Sequence, residues 1–471
     1  MINIAHKLSL VAVAFGMALP MSPAGAQGAK AAEKAAPMAS AADARNIASD
    51  AYIQTYPLLQ TAMELDREMN KADAPDYLGK FNVFKHQDGI PSPKDASIRR
   101  KSFDAPYSWA WLDVRAEPVV VQMPAIPAGR FAVVQFYDLW GHNLAHVDAK
   151  TAGAKPITVL VAGPGWKGAQ PKGVSSVVRS ETSLVGVTVR TAAATPGDGA
   201  SVADLQKQYR IQPLTQFTKG AAPKAASPIT FAAFDEAKAD TGAFIGYVNQ
   251  LLPYVHLDAA EQISFKRYAG IGMVAGKPYD PAKMDSGVVA AIDGGVAEAR
   301  GKLEKAMSEV RGAVDPVGTR EAFGGDAMKR SISAGFDLHR VARSEIIEFP
   351  IAGDGGGDPF EKGAKYRLVF PPGQLPPVDG FWSLEMISVP NVRYFENPVN
   401  RYVIDSRMAG LKKNADGSIE IAIQRETPGP ELESNWLPTG DTGFSLTLRL
   451  FAPKAEAVDG RWKPAYPNRL P

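Results

Sequence analysis

Short β-branched and aromatic runs fill two separate stretches of this chain, and between them the apolar residues change their spacing. From about residue 103 to residue 190 the runs EPVVVQMP, GRFAVVQFYDLW, PITVLVAGP, VSSVVRSET and LVGVTVRT are cut apart by proline and glycine. Runs of that length and punctuation predict an all-β sandwich or barrel. From about 202 to 345 the pattern becomes helical in VADLQKQYRI, AFIGYVNQLL, AAEQISFKRYAGIGM, GVVAAIDGGVAEARGKLEKAMSEV and DAMKRSISAGFDLHRVARSEI. Alternation then returns in KYRLVF, FWSLEMIS, RYVIDS, IEIAIQRE and GFSLTLRLFAP, joined by turn signals such as NADGS. The predicted fold is α+β and multidomain, with two β-rich domains separated by a multihelical section. The length, 471 residues, exceeds what one core accommodates.

The N-terminus reads as an export signal. His6 and Lys7 precede an apolar run from Leu8 to Met21, followed by Ala24, Gly25 and Ala26 in the small-residue arrangement that a signal peptidase requires. Cleavage after Ala26 and a periplasmic location are expected. Residues 27–40 are an Ala-rich tether, and from Ser40 an entry helix carries Ile47, Ala51 and Leu58, with Pro57 a kink. The expected plan is a signal peptide over 1–26, the tether over 27–40, entry helix and first β domain over 41–200, helices over 201–345 and a second β domain over 346–471. With no cysteine, disulfides, thiolate chemistry and lipid attachment through an N-terminal cysteine are excluded. The formal charge is +2, or +1 without the leader's Lys7, and the charges are mixed along the chain. That distribution argues against nucleic acid, and against a membrane once the leader is removed. The expected partner is a small-molecule ligand; self-association into a homo-oligomer is left open.

Standard motifs fail here. No phosphate-binding loop is present, GPGWKG coming nearest; there is no zinc helix with two histidines around a Glu and no nucleophile elbow. DGGGD at 354–358 lacks the ligand alternation of a calcium loop. GHNLAHVDAK holds two of the six histidines. On a helix His142 and His146 could share zinc; on a strand they stand about 13 Å apart, at about 3.3 Å per residue. The surrounding residues are extended in character, so no metal and no cofactor are predicted. His146 and Asp148 would lie on one strand face as a pair that raises the imidazole pKa.

FDAPYSWAWLDVRAEP is denser in functional side chains. In period two, Tyr107, Trp109, Trp111 and Asp113 share a face, suited either to stacking on a ring or sugar or to filling a core. Asp104 and Asp113 are informative because a buried carboxylate needs a partner. In the C-terminal part, NPVNRYVIDSR and ESNWLP bring Asn397, Asn400, Arg401, Tyr402, Arg407, Asn435 and Trp436, and strands add Arg425 and Arg449. Arginine forks bind a ligand's carboxylate or the protein's own, here Asp405 or Glu433.

Taken in order, YSWAWLDVRAEPVVVQMP, GRFAVVQFYDLWGHN, AGPGWKG and RSET, then LPPVDGFWSLEMIS, NPVNRYVIDSR, LKKNADGSIEIAIQ and SNWLP, resemble a bacterial family. It pairs domain of unknown function 1254 with domain of unknown function 1214. The likeness covers roughly residues 45–200 and 345–471. It implies a jelly-roll-like sandwich for the second domain and frequent export. Where the family often reads Asn-x-Asp-Thr-x-Tyr-Ser, this chain has Ser102, Asp104, Ala105, Tyr107 and Ser108. His142 and Asn143 are shared with the family, whereas His146, Asp148 and Lys150 are local.

Two functions are therefore expected. One is a hydrolase or lyase acting on a polar small molecule, with Asp104 or His142 as general base and Tyr107 as proton donor or oxyanion contact. The other is a non-catalytic periplasmic binding protein for a sugar-like or peptide-like ligand. Whether the chain is an enzyme stays open. In either case the site is expected between the β domains, walled by Trp109, Trp111, Asn143, His146, Asn400, Arg401, Asn435 and Trp436.

Overall fold

Alternating and continuous apolar runs become two sandwiches in the computed structural model, which describes residues 37–95, 101–153, 155–310 and 318–471. These residues belong, from Met38 on, to one compact unit. The expected leader, and the tether as far as residue 36, lie outside the described residues. No described helix is long and apolar enough to cross a membrane.

The first sandwich uses β1 (Lys85–His86), β2 (Tyr107–Asp113), β3 (Val119–Met123), β4 (Ala132–Tyr137), β5 (Asn143–Asp148), β6 (Ile157–Ala162), β7 (Ser176–Arg179), β8 (Leu184–Thr191) and β9 (Arg210–Pro213). One sheet runs β1-β2-β8-β4-β5, the other β7-β6-β3-β9. Leu112, Val134, Phe136 and Val187 of the first sheet meet Val119, Val121, Val159 and Val161 of the second in one core. All residues of β4 and β8 are buried, because the outer face of their sheet is covered as well. Tyr137 and Leu184 there pack into the helical core. Continuous apolar runs are what a strand covered on both faces requires.

The second sandwich uses β10 (Ile346–Ile351), β11 (Tyr366–Phe370), β12 (Val378–Val389), β13 (Val403–Asp405), β14 (Ile419–Gln424), β15 (Trp436–Pro438), β16 (Gly443–Pro453) and β17 (Asn468–Arg469). Its sheets are β10-β16-β12-β13 and β15-β14-β11-β17, around a core that includes Leu384, Leu446, Leu448, Ile421 and Ile423. Pairing is antiparallel except between β14 and β15, as between β6 and β7 in the first sandwich.

The entry helix α1 (Ala41–Leu65) begins at Ser40, whose hydroxyl accepts from the Asp43 amide at 3.2 Å, and it packs within the helical section. Ala48, Ala51 and Leu58 meet Val248, Ile292 and Val296 from the helices Phe244–Leu251 and Ser286–Ser308. A Cβ on Gly295 would stand 2.2 Å from the Arg45 carbonyl, so the close crossing of these helices depends on that glycine. Pro57 lies inside α1 and brings no N–H to the Ile53 carbonyl. Ser331 supplies the missing donor, its hydroxyl reaching the Ile53 oxygen at 2.6 Å, while Arg330 donates to the Gln54 oxygen at 2.9 Å.

Candidate ligand site

The two β domains meet across an apolar wall. Phe131, Val133 and Ala192 of the first pack with Val341, Ile346, Phe381 and Phe451, and the rings of Phe381 and Phe451 stack at 4.2 Å. Beside this wall lies a cavity of ≈ 50 Å³ lined by Tyr107, Arg190, Arg340, Glu348 and Arg449, among others. An open groove of ≈ 840 Å³ also crosses the interface, spanned by an ion pair between Lys150 and Asp379 at 2.7 Å.

Arg449 is already occupied. Its Nε donates to Glu348 at 2.7 Å and its Nη1 to Glu385 at 2.6 Å, whose other oxygen accepts from the Tyr394 hydroxyl. Asp104, 1% exposed, stands at 3.7 Å from Nη1 and accepts from Ser383 at 2.7 Å, while its Oδ1 has no partner among the described residues. Burial is the main reason that its pKa rises to about 7; Arg449 opposes the rise, and Glu385 and Asp405 add to it. Glu348 goes the other way. Burial alone would raise it, but adjacent Arg449, with Arg340 and Arg190 beyond, holds its carboxyl below the usual range.

Arg190 and Arg340 are held differently. Arg190, 8% exposed, donates to Gln135 at 2.7 Å and lies 5.2 Å from the Tyr107 ring centre. Neither arginine has a carboxylate salt-bridge partner among the described residues, and the buried Nε of Arg340 has no acceptor. The Asn143 amide donates to the Arg340 carbonyl at 3.0 Å, and the Ala342 amide donates to His146 Nε2 at 3.4 Å. Asn143 and His146 thus support the segment that carries Arg340.

The expected pairing of His146 with Asp148 is corrected. The Asp148 carboxylate instead caps the next turn, accepting from the Thr151 amide at 2.5 Å and hydroxyl at 2.9 Å. Burial, helped by the charge of Arg190, lowers the His146 pKa to about 4, against a small opposite pull from Asp148. This imidazole is neutral and serves as an acceptor.

His142 belongs to a separate cluster. It is 2% exposed, with Nδ1 at 3.0 Å from Asp138, whose other oxygen accepts from the backbone amides of Trp140 and His142, each at 2.9 Å. Asp138, His142 and Glu181 each bring one donor atom within 4.8 Å of the others, a set that could hold a metal ion. Glu181 is paired with Arg320 at 2.6 Å, so an incoming cation would compete with a guanidinium.

Trp109 and Trp111 are buried at 3% and 1%, and Trp111 Nε1 donates to Glu68 at 2.6 Å, so both rings fill core rather than a ligand wall. Asp113 is forked by Arg115 at 2.9 and 2.7 Å. The loops expected to line the site bind one another. Arg401 donates to the carbonyls of Glu433 and Trp436, Asn435 clasps both backbone groups of Lys412, and Trp436 Nε1 donates to Gln424. Asn400, at φ +46°, accepts from Tyr402. None of these four lines the small cavity. Arg190, Arg340, Glu348 and Gln135 escaped sequence reasoning. The available signals were a lone arginine in an otherwise apolar strand run and the charge-rich stretch DLHRVARSE.

Residues 81–213 match the family model described as Protein of unknown function (DUF1254), and residues 345–455 match the one described as Protein of unknown function (DUF1214). No curated protein matches the chain. The crystal structure of the VPA0106 protein from Vibrio parahaemolyticus is similar at a TM-score of 0.75 and 20% identity, over 91% of this chain and 100% of that one. At that identity the likeness is one of fold. An uncharacterized protein from Burkholderia cenocepacia reaches a TM-score of 0.42 at 13% identity, over 91% and 94% of the two chains.

Proposed function

We propose, for a chain that belongs to the proteins pairing a DUF1254 domain with a DUF1214 domain, that its small interdomain cavity binds the oxyanion group of a small molecule. The observation that carries this reading is the pair Arg190 and Arg340, two guanidinium groups that line one cavity and, among the described residues, form no ion pair with a carboxylate. A cationic fork in a low-dielectric recess favours carboxylate or a similar anion. The size agrees: about 150 Å³ encloses a benzene ring, so ≈ 50 Å³ suits a head group rather than a whole sugar.

Binding is favoured over hydrolase or lyase chemistry because the expected general bases are engaged elsewhere. His142 is turned to Asp138, and Asp104 sits behind Arg449, outside the cavity lining. Titration calorimetry with acetate, sulfate and neutral glucose tests the proposal. Wild type is expected to bind an anion and not glucose, and Arg190→Gln or Arg340→Gln to raise the Kd by about tenfold or more, ~1.4 kcal/mol. Glucose binding, or unchanged anion affinity in the double variant, would contradict it.

A further inference from the structure

We infer that Gln135 is the positioning residue that sets the distance between the two arginines, and so determines which oxyanion the cavity accepts. This rests on the anion-binding reading above. Gln135 lies on β4 with no exposed surface. Its Oε1 accepts from Arg190 at 2.7 Å, and its Nε2 donates to the carbonyls of His339 and Arg340, both at 3.1 Å, and to Asn143 at 2.5 Å. Arginine only donates, so the amide oxygen must face it and the NH₂ must face the carbonyls. One side chain therefore holds the head of Arg190 and the backbone of Arg340 in a single rigid unit.

The neighbours reinforce that unit. Asn143 donates to the same Arg340 carbonyl, and the ring of Tyr137, the last residue of β4, stacks at 3.9 Å on His339. Tyr137 is fixed in turn by Gly186 across the ladder, where a Cβ would come within 1.8 Å of the ring. Each contact restrains the segment 339–342 and none reaches the cavity itself. Among these residues Gln135 alone bonds both the Arg190 guanidinium and the Arg340 backbone.

A merely structural glutamine would weaken every ligand alike, whereas a spacer changes selectivity. Gln135→Met keeps the volume and removes the bonds. We expect it to change the ratio of acetate to sulfate affinity severalfold while the melting transition stays cooperative. Gln135→Glu should lose anion affinity by about tenfold or more, since its carboxylate neutralises Arg190 and faces two carbonyl oxygens. Amide exchange in the peptide containing residues 339–342 should quicken in Gln135→Met. An unchanged affinity ratio with unchanged exchange would overturn the inference. Failure of wild type to bind either anion would overturn the cavity reading alone, and the exchange result would still decide whether Gln135 holds the Arg340 segment.

Discussion

Arg449→Ala is expected to destabilise the protein by about 3 kcal/mol, at the low end of the range for breaking a buried ion pair. The low end applies because the Arg449 side chain keeps 21% of its surface exposed. Its removal strands Glu385, whose side chain is only 6% exposed, and takes the direct partner from Glu348. The phenol of Tyr394 can satisfy one oxygen of Glu385 but carries no charge to offset it. Urea denaturation at neutral pH measures the loss. Adding Glu385→Gln to Arg449→Ala should restore part of it, because the stranded charge is then gone. A loss below about 1 kcal/mol, the level of an exposed pair, would show that the cluster is not a structural clasp.

The second large effect is a dependence of stability on pH that runs opposite to the usual carboxylate. Asp104 has a folded pKa raised from 3.8 to about 7, so between those values the folded state holds a proton that the unfolded state has released. Stability from this group is fully present below about pH 4 and is lost as pH rises through 7, at about 1.4 kcal/mol per unit, or ~4 kcal/mol in all. The groups facing it are Arg449 from β16, Ser383 and Glu385 from β12, and Asp405 from β13. Asp405 is itself forked by Arg407, whose guanidinium lies 3.4 Å from the Phe381 ring centre. Asp104→Asn removes the titrating group and keeps its shape. The difference in unfolding free energy between wild type and Asp104→Asn should therefore move steadily in favour of the variant from pH 4 to pH 7 and level off above. A difference independent of pH would contradict this account of the buried carboxyl.

Much of the fold was legible because burial on one face leaves period two in the sequence. β16 alternates intermediate and buried positions through GFSLTLRL, and the pattern can be read directly. β4 and β8 were legible for another reason, since AVVQFY and LVGVTVRT are too short and too rich in β-branched residues for a helix. The site was harder, because it is assembled from long-range contacts. Nothing near Arg190 in sequence indicates that Gln135, 55 positions away, accepts its hydrogen bond, or that Arg340 lies beyond that amide. The aromatic strand misled for a related reason. A period-two face of Tyr107, Trp109 and Trp111 is one pattern in sequence, yet the fold puts Tyr107 on the cavity lining and Trp111 in the core with α1. His146 shows the limit most clearly, since local spacing paired it with Asp148 while the fold gave it the Ala342 amide.

The most direct test of the central claim is an X-ray structure of the wild-type protein soaked with selenate, read at the selenium absorption edge. An anomalous peak within hydrogen-bond reach of both Arg190 and Arg340, absent from Arg190→Gln crystals treated alike, is the predicted result. A cavity holding only water, with either guanidinium turned onto Glu348, would contradict it.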